Sequence, residues 1–324
     1  MTGGVQRVET VVRTAIRRLL PQPLRDSLRE VAYAVTPPLF VATIRRMRRE
    51  WEFVPEGWAS RAKSDADGWD VSGVVESYRA GFHRFRAAIG TTSPLGIPQE
   101  VHPGQAVRND VPGSHNLILT YGYVLARAAA GSSRVTVLDW GGGLANYYLL
   151  GRALLPEVQL EYHCKELPAI ATAGRELLPE VTFHEDDRCL ERKYDLVLAS
   201  GSLQYAEDWE HQLRRFADAA TRFVFVARLP VSLEGASFVA MQRPYRYGYD
   251  TEYIGWVFGR TSFLRGAEGA GLRLERELIA DEGWKAAGAP TATESRSYLF
   301  TPADRAASRA AEITDSTSPS DSSG

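Results

Sequence analysis

The chain has 324 residues, of which 44% are hydrophobic and 24% are charged, and its formal net charge is −2. This balance is typical of a soluble globular protein, and it excludes wholesale disorder and a generally basic nucleic-acid binder. At ~150 residues per domain the length suggests about two structural units, which bury enough core to fold without disulfides or a structural metal. The two cysteines, Cys164 and Cys189, lack zinc-site spacing, so we expect buried packing thiols.

The charge is unevenly distributed along the chain. Residues 1–50 contain ten arginines and four acids, a net charge of +6, so the remaining residues together carry −8. Apolar residues at helical spacing between these arginines predict a basic amphipathic helical leader. Such a helix lies on an anionic membrane surface or on a partner protein, or it is an ordinary packing helix with a solvated arginine face. Because neither a membrane-spanning run nor a signal-peptide pattern is found, we expect a cytoplasmic protein, with peripheral attachment to the inner face of the membrane as an alternative.

The rest of the chain divides into three parts by its pattern. Residues 51–113 form a cap region with a predicted helix near Val74–Ile89, and residues 303–324 lack apolar content, which predicts a disordered tail. Residues 114–302 begin with a predicted helix over 114–130, after which strand-like runs alternate with helical ones. This alternation predicts an α/β fold with a mainly parallel sheet and helices on both faces. The strand-like runs are Val135–Leu138, Leu160–Cys164, Val181–His184, Leu196–Ala199, Phe223–Ala227, Leu272–Leu278 and Ser297–Phe300.

The first of these strands leads into a glycine cluster. Asp139 ends the strand, and Gly141, Gly142 and Gly143 follow before the next helix. Glycines permit a tight turn and a close approach of ligand at the carboxyl ends of parallel strands. A dinucleotide fingerprint would have a third glycine where Asn146 stands, and Asp139 would repel a pyrophosphate. A carboxylate here suits the sulfonium and ammonium groups of S-adenosylmethionine, whose carboxylate the glycine amides and the helix N-terminus would receive.

Further acids follow the next two strands. Glu166 lies roughly 20 residues after the glycines, where an acid accepts hydrogen bonds from ribose hydroxyls. Asp186 and Asp187 follow the third strand, where they would face the adenine amine. Acids after three successive parallel strands predict one cofactor-binding edge. For each of them the alternative is a solvated acid in a loop.

With these motifs the chain resembles the class I S-adenosylmethionine-dependent methyltransferases. More narrowly, it resembles a family of methyltransferases from bacterial surface-polysaccharide gene loci. The resemblance covers roughly residues 55–300, as judged from the sequence. Its carrying segments are Val137–Tyr148 and Tyr194–Tyr205, with support from Arg228–Pro230 and Phe238–Gln242.

The resemblance implies a Rossmann-like fold with a seven-stranded, mostly parallel sheet and a helical N-terminal cap. It implies S-adenosylmethionine as the cofactor and methyl transfer as the reaction, without naming an acceptor. In such a site Asp139 and the three glycines contact the methionine end, Glu166 contacts the ribose, and the loop holding Asp186 and Asp187 contacts the adenine. Ser200 and Gly201, in the second segment, complete the expected cofactor site, and no metal is expected.

Two motifs of other methyltransferases are absent from this sequence, and their absence restricts the class of acceptor that we expect. Many small-molecule methyltransferases carry a histidine after the fourth strand, whereas the segment Leu203–Asp208 has none. The [D/N]-P-P-[Y/F] motif used to methylate exocyclic base amines is also absent, which disfavours a nucleic-acid substrate. We therefore expect a small-molecule or carbohydrate acceptor.

Four side chains are candidates for handling that acceptor. An alcohol must lose its proton during methyl transfer, which requires a positioned acid–base or orienting group. Tyr205 and Gln204 are expected in the loop facing the methyl group, and His115 is a candidate base at the start of the helix before the first strand. Arg228, after the fifth strand, would bind a carboxylate or phosphate of the acceptor. A packing aromatic, a helix cap and a structural salt bridge are the respective alternatives.

A tyrosine- and arginine-rich stretch follows the segment Phe238–Gln242. Aromatic faces stack on sugar rings, so this stretch is either a lid over the acceptor site or an ordinary packed connection. Its residues are Arg243, Tyr245, Arg246, Tyr247, Tyr249 and Tyr253.

Taken together, these features predict O-methylation of a carbohydrate or another small hydroxylated metabolite. One alternative is a non-catalytic methyltransferase-like module in a polysaccharide assembly complex, which the missing histidine and the basic leader favour. A second alternative is a nicotinamide-dependent oxidoreductase, against which Asp139 and Asn146 both count.

Overall fold

The computed structural model of this chain describes residues 49–59, 68, 72–90, 92–98, 108–247, 249, 251–281 and 284–303. The predicted basic leader and the predicted tail lie outside the described residues, apart from Arg49, Glu50 and Ala303. Within the described part, no helix combines the length and the apolar character needed to cross a membrane.

Ten strands and six α-helices form the described part, and each of the seven predicted strands overlaps one of them. Their order along the chain is β1 (Trp51–Val54), α1 (Ser72–Ile89), α2 (Pro112–Ala129), β2 (Arg134–Trp140), α3 (Asn146–Leu154), β3 (Gln159–Lys165), α4 (Pro168–Leu177), β4 (Thr182–His184), β5 (Tyr194–Ser200), α5 (Trp209–Ala219), β6 (Ala220–Ser232), β7 (Phe238–Gln242), β8 (Tyr253–Gly259), α6 (Arg260–Gly269), β9 (Leu272–Asp281) and β10 (Thr293–Pro302).

Seven of these strands form the expected Rossmann-like sheet, in the order β4-β3-β2-β5-β6-β10-β9. Neighbouring strands from β4 to β6 are parallel, and β10 runs antiparallel between β6 and β9. The predicted seven-stranded, mostly parallel sheet is therefore confirmed. β2 pairs with β3 on one side and with β5 on the other, so the order of the strands across the sheet reverses at β2. Ligands of open α/β sheets bind in the crevice at such a switch point.

Three further strands extend the sheet from the second half of β6. Val231 and Ser232 of β6 pair in parallel with β8, while β7 is antiparallel to β8 and β1 is antiparallel to β7. The region predicted as a cap thus contributes β1 to the sheet, and the tyrosine-rich stretch connects β7 to β8. Sequence patterns did not predict these three strands, which have four to seven residues.

Helices cover both faces of the sheet, as predicted. Side chains of β2 alternate between the faces, as the two-residue period of a strand requires. Val137 packs in the core that includes α1 to α4, whereas Leu138 packs in the core that includes α5 and α6. Asp139, the next residue along, therefore points to the side of α1. Cys164 and Cys189 are buried free thiols, in agreement with the prediction.

Candidate functional site

A pocket lies at the switch point, beneath α1 and beside the loop that follows β2. It encloses about 700 Å³, part of which is open to solvent. We call it the glycine-loop pocket. Its lining comes from α1, the loop after β2, α3, the end of β5, β6 and the connection before β8. The lining residues are Ser77, Tyr78, Gly81, Phe82, Asp139, Gly141, Gly142, Gly143, Leu144, Asn146, Tyr147, Ser200, Arg228 and Tyr249.

Asp139 is a fully buried carboxylate in this pocket. Its Oδ2 accepts a 2.9 Å hydrogen bond from the Tyr162 hydroxyl, while its Oδ1 has no hydrogen-bond partner among the described residues. Burial raises the pKa of Asp139 to about 7; the Tyr162 hydrogen bond opposes the rise, Glu166 adds to it and Arg228 opposes it. A buried acceptor without a donor is unfavourable, and a cationic ligand with N–H donors would satisfy it.

The glycine loop leaves no room for larger side chains. Gly141 and Gly143 have φ angles of +72° and +60°, which favour glycine. A Cβ at Gly142 would overlap the Asp139 carboxylate and lie 2.8 Å from Cys164 Sγ. A Cβ at Gly143 would lie 3.3 Å from the Tyr78 ring, so α1 packs directly over this loop. All three glycines are therefore required by the local geometry.

The backbone amides of this loop are engaged within the protein. The Gly141 amide donates to the Lys165 carbonyl oxygen at 2.9 Å, and the Gly143 amide donates to Glu166 Oε1 at 2.9 Å. The Cys164 thiol donates to the Gly143 carbonyl oxygen at 3.7 Å. The Gly141 and Gly143 amides, expected to receive the cofactor carboxylate, therefore hold the loop against the end of β3.

Glu166 braces the glycine loop from β3. Besides the Gly143 bond, its Oε2 accepts from the Leu167 amide at 2.8 Å, and the side chain is buried. Burial raises the pKa of Glu166, against the effect of these two amides. Glu166 does not line the glycine-loop pocket. Its contact with the ribose thus stays a prediction.

Asp186 and Asp187 make contacts away from the pocket. Asp186 is exposed and accepts from the Arg188 amide at 3.0 Å and its guanidinium at 2.7 Å, and these Arg188 contacts lower the pKa of Asp186. Asp187 accepts from the Trp140 indole at 2.9 Å and from Arg215 at 3.0 Å. Neither acid lines the glycine-loop pocket, and their adenine contacts stay predictions.

Arg228 reaches the pocket from β6 across the end of β5. Its Nε donates to Ser200 Oγ at 3.1 Å, and its Nη2 donates to the Ser200 carbonyl oxygen at 3.3 Å. Ser200 Oγ also lies 2.8 Å from the Tyr147 hydroxyl. Gly201 has a φ of +64°, and a Cβ there would lie 2.7 Å from Arg228 Nη2. Ser200 and Arg228 both line the glycine-loop pocket, and their ligand contacts stay predictions.

The backbone of Arg228 is itself unusual. Its φ is +54°, which is rare for a residue with a side chain, and its amide donates to Ser297 Oγ at 3.2 Å. The pairing of β10 with β6 shifts register between Arg296 and Tyr298, opposite this position. A bulge in β6 therefore directs the Arg228 side chain toward the pocket.

The other acceptor candidates lie elsewhere. The Tyr205 hydroxyl donates to Gln242 Oε1 at 2.6 Å, and its ring meets Tyr253 edge-on at 5.2 Å. Gln204 is buried in the same short turn, and His115 is half-buried in the first turn of α2. None of the three lines the glycine-loop pocket. For Tyr205 and Gln204 the reason is that the turn after β5 packs against β8 of the strand extension. Their acceptor roles stay predictions.

The pocket also contains Tyr78 and Asn146, which the sequence did not assign to the site. Tyr78 meets Tyr249, from the tyrosine- and arginine-rich stretch considered as a lid, edge to face at 5.9 Å beside the glycine loop. Asn146 Oδ1 is buried and has no hydrogen-bond partner among the described residues. Asn146 was detectable as the replacement for a fingerprint glycine, whereas no sequence signal marked Tyr78. Among the described residues, no group of histidine, cysteine and acidic side chains is arranged to hold a metal ion.

No protein-family profile matches this chain, and a search of curated proteins finds no relative. Similar solved structures include an S-adenosylmethionine-dependent methyltransferase from Clostridium acetobutylicum, at 10% identity over 57% of this chain and 92% of that chain, with a TM-score of 0.39. Magnesium protoporphyrin IX methyltransferase from Synechocystis matches at 15% identity over 69% and 92%, with a TM-score of 0.40. The sugar N-methyltransferase KedS8 from Streptoalloteichus matches at 14% identity over 58% and 87%, with a TM-score of 0.40. At identities this low, the function of this chain has to be argued from the chemistry of the pocket.

Proposed function

We propose that this chain binds S-adenosylmethionine in the glycine-loop pocket and transfers its methyl group to a hydroxyl of a carbohydrate or another small metabolite. The observation that carries this proposal is the buried Asp139 carboxylate, whose Oδ1 has no partner within the described residues. The sulfonium and ammonium charges of the cofactor would stabilise the ionised form of Asp139. Asp139 and the three glycines all line the glycine-loop pocket, where the ligand would bind.

The chain's own residues would contribute alignment and shielding to the reaction. Bound S-adenosylmethionine supplies an activated methyl group on a sulfonium. Methyl transfer is an in-line displacement, so fixing the geometry of the reactants supplies much of the rate enhancement. Tyr78 and Phe82 of α1, together with Tyr249, line the pocket beside the glycine loop and would shield a bound ligand from water. Ser77 also lines the pocket, and the hydroxyls of Ser77, Tyr78 and Tyr249 would orient an acceptor hydroxyl.

Calorimetric titration with S-adenosylmethionine tests the first step. We expect the wild type to bind and Asp139→Asn, which keeps the shape but removes the charge, to lose at least roughly tenfold in affinity. Asp195→Asn is the matched control, because Asp195 accepts from the Thr136 amide and Thr221 hydroxyl at the opposite end of β5. Equal binding by all three proteins, or binding by none, would contradict the proposal.

The reaction is tested by transfer of a tritiated methyl group from S-adenosylmethionine into fractionated small-molecule extracts, followed by identification of the product. We expect label in a hydroxylated metabolite with the wild type. Cofactor binding without label in any fraction would support the non-catalytic module instead. Binding of NADH without binding of S-adenosylmethionine would support the oxidoreductase.

A further inference from the structure

Two opposite charges line the glycine-loop pocket. Among its described lining residues, Asp139 is the one acid and Arg228 is the one arginine or lysine. The positive charge of Arg228 lowers the pKa of Asp139, so the two groups are within electrostatic reach of each other. Two buried acceptors, Asp139 Oδ1 and Asn146 Oδ1, have no partner in the described structure and would accept from an ammonium group. A pocket with this pattern is complementary to a zwitterion.

Several of the usual backbone receptors for a carboxylate are already used in this loop. The Gly141 and Gly143 amides donate to the Lys165 carbonyl oxygen and to the Glu166 carboxylate. The Ala145 amide donates to the Gly142 carbonyl oxygen at 3.0 Å. A ligand carboxylate would have to break such a bond before it could be received by one of these amides.

The fold instead places the guanidinium of Arg228 at the glycine-loop pocket. Arg228 keeps a φ of +54°, a sparsely populated conformation whose cost the surrounding structure must support, and such strain clusters at ligand sites. Its Nε and Nη2 rest on Ser200, and the absent side chain of Gly201 makes room for it. A guanidinium offers its donors in a planar fork that matches the two oxygens of a carboxylate.

We propose that Arg228 binds the α-carboxylate of S-adenosylmethionine, while Asp139 and Asn146 accept hydrogen bonds from its ammonium group. This assignment rests on the proposed function. It replaces the glycine amides as carboxylate receptor, and it moves Arg228 from acceptor binding to cofactor binding.

The test compares S-adenosylmethionine with its decarboxylated form, which lacks only the carboxylate. Titration calorimetry measures both affinities in the wild type, Arg228→Met and Arg228→Gly. We expect the wild type to prefer S-adenosylmethionine by roughly 10- to 100-fold, the range for a hydrogen bond to a charged group. Both variants should lose this preference and bind the decarboxylated form within about threefold of the wild type. The glycine variant also relieves the positive φ, so it separates loss of the guanidinium from misfolding.

Arg222→Met is the control on the same strand, since Arg222 donates to the carbonyl oxygens of Ala128 and Ala130 outside the pocket. It should keep the wild-type preference. The assignment is overturned if either Arg228 variant keeps the preference, if the variants weaken both ligands in proportion, or if the wild type shows no preference. A wild type that binds neither ligand would overturn the proposed function itself, and with it this assignment.

Discussion

Asp139 shows how a single residue couples burial to ligand charge. Its pKa of about 7 means that the protonated and ionised forms are both populated near neutral pH when the pocket holds no cationic ligand. A bound cation favours the ionised form. Below pH 7 binding must therefore expel a proton, whereas above pH 7 the carboxylate is already ionised. Glu166 is the nearby acid that adds to the raised pKa.

The affinity for S-adenosylmethionine should accordingly rise with pH, approaching tenfold per unit below about pH 6, falling to roughly threefold per unit at pH 7 and levelling off by about pH 8. Calorimetry in buffers of different ionisation enthalpy would detect the released proton. In Asp139→Asn both the slope and the proton release should disappear. A slope that persists in this variant would show that another group controls the pH dependence.

At the scale of elements, α1 packs over the glycine loop and covers the pocket from that side. We call this part of α1 the roof of the pocket. Tyr78 lies over Gly143 and meets Tyr249, which comes from the connection between β7 and β8. The adjacent Arg79 points elsewhere, where it forms a 2.5 Å ion pair with Glu176 of α4. Two neighbouring residues of α1 thus have different roles: Tyr78 covers the pocket, and Arg79 forms an ion pair at the surface.

Tyr78→Ala should lower the affinity for S-adenosylmethionine by roughly three- to tenfold, because an aromatic contact over the loop is lost. Arg79→Ala should leave this affinity unchanged, since exposed ion pairs contribute little and Arg79 does not line the pocket. Titration of both variants checks the expectation. The roof interpretation fails if Arg79→Ala weakens binding as much as Tyr78→Ala does.

At the scale of the whole molecule, one buried arginine links separate segments of the strand extension formed by β1, β7 and β8. Arg243 is buried after β7 and forms ion pairs with Glu52 of β1 at 2.7 Å and with Glu252, next to β8, at 2.9 Å. Removing the buried guanidinium would leave the partly exposed carboxylates of Glu52 and Glu252 without their shared cation. Arg243 therefore adds a side-chain link to the backbone pairing of the extension.

Arg243→Met should lower the free energy of unfolding by about 3 kcal/mol and accelerate amide exchange in β1. Urea unfolding and hydrogen exchange measure the two effects. Arg188→Met is the comparison, because its ion pair with Asp186 is exposed, and it should change stability little. Similar losses in the two variants would contradict the importance of burial at Arg243.

The local pattern of the chain was sufficient for seven strand-like runs, a mainly parallel sheet and the turn that holds Asp139, while the seven-stranded Rossmann-like arrangement came from the family resemblance. Apolar periodicity and glycine clusters are properties of neighbouring residues, and buried parallel strands such as β2 and β5 carry them strongly. The strands β1, β7 and β8 were not predicted from such patterns. Their positions depend on pairing between distant segments, such as Glu52 with Arg243, which are 191 residues apart.

The same distinction holds for the candidate site. The amino-acid sequence by itself determined that acids and glycines gather at one edge of the sheet, since parallel strands place their carboxyl ends together. Only the tertiary structure decided which of those groups face the pocket. Glu166 turns to the Gly143 amide and Tyr205 to Gln242, whereas a bulge in β6 brings Arg228 to the pocket that Asp139 lines. Such choices depend on hydrogen-bond partners supplied by other strands, and no local pattern encodes them.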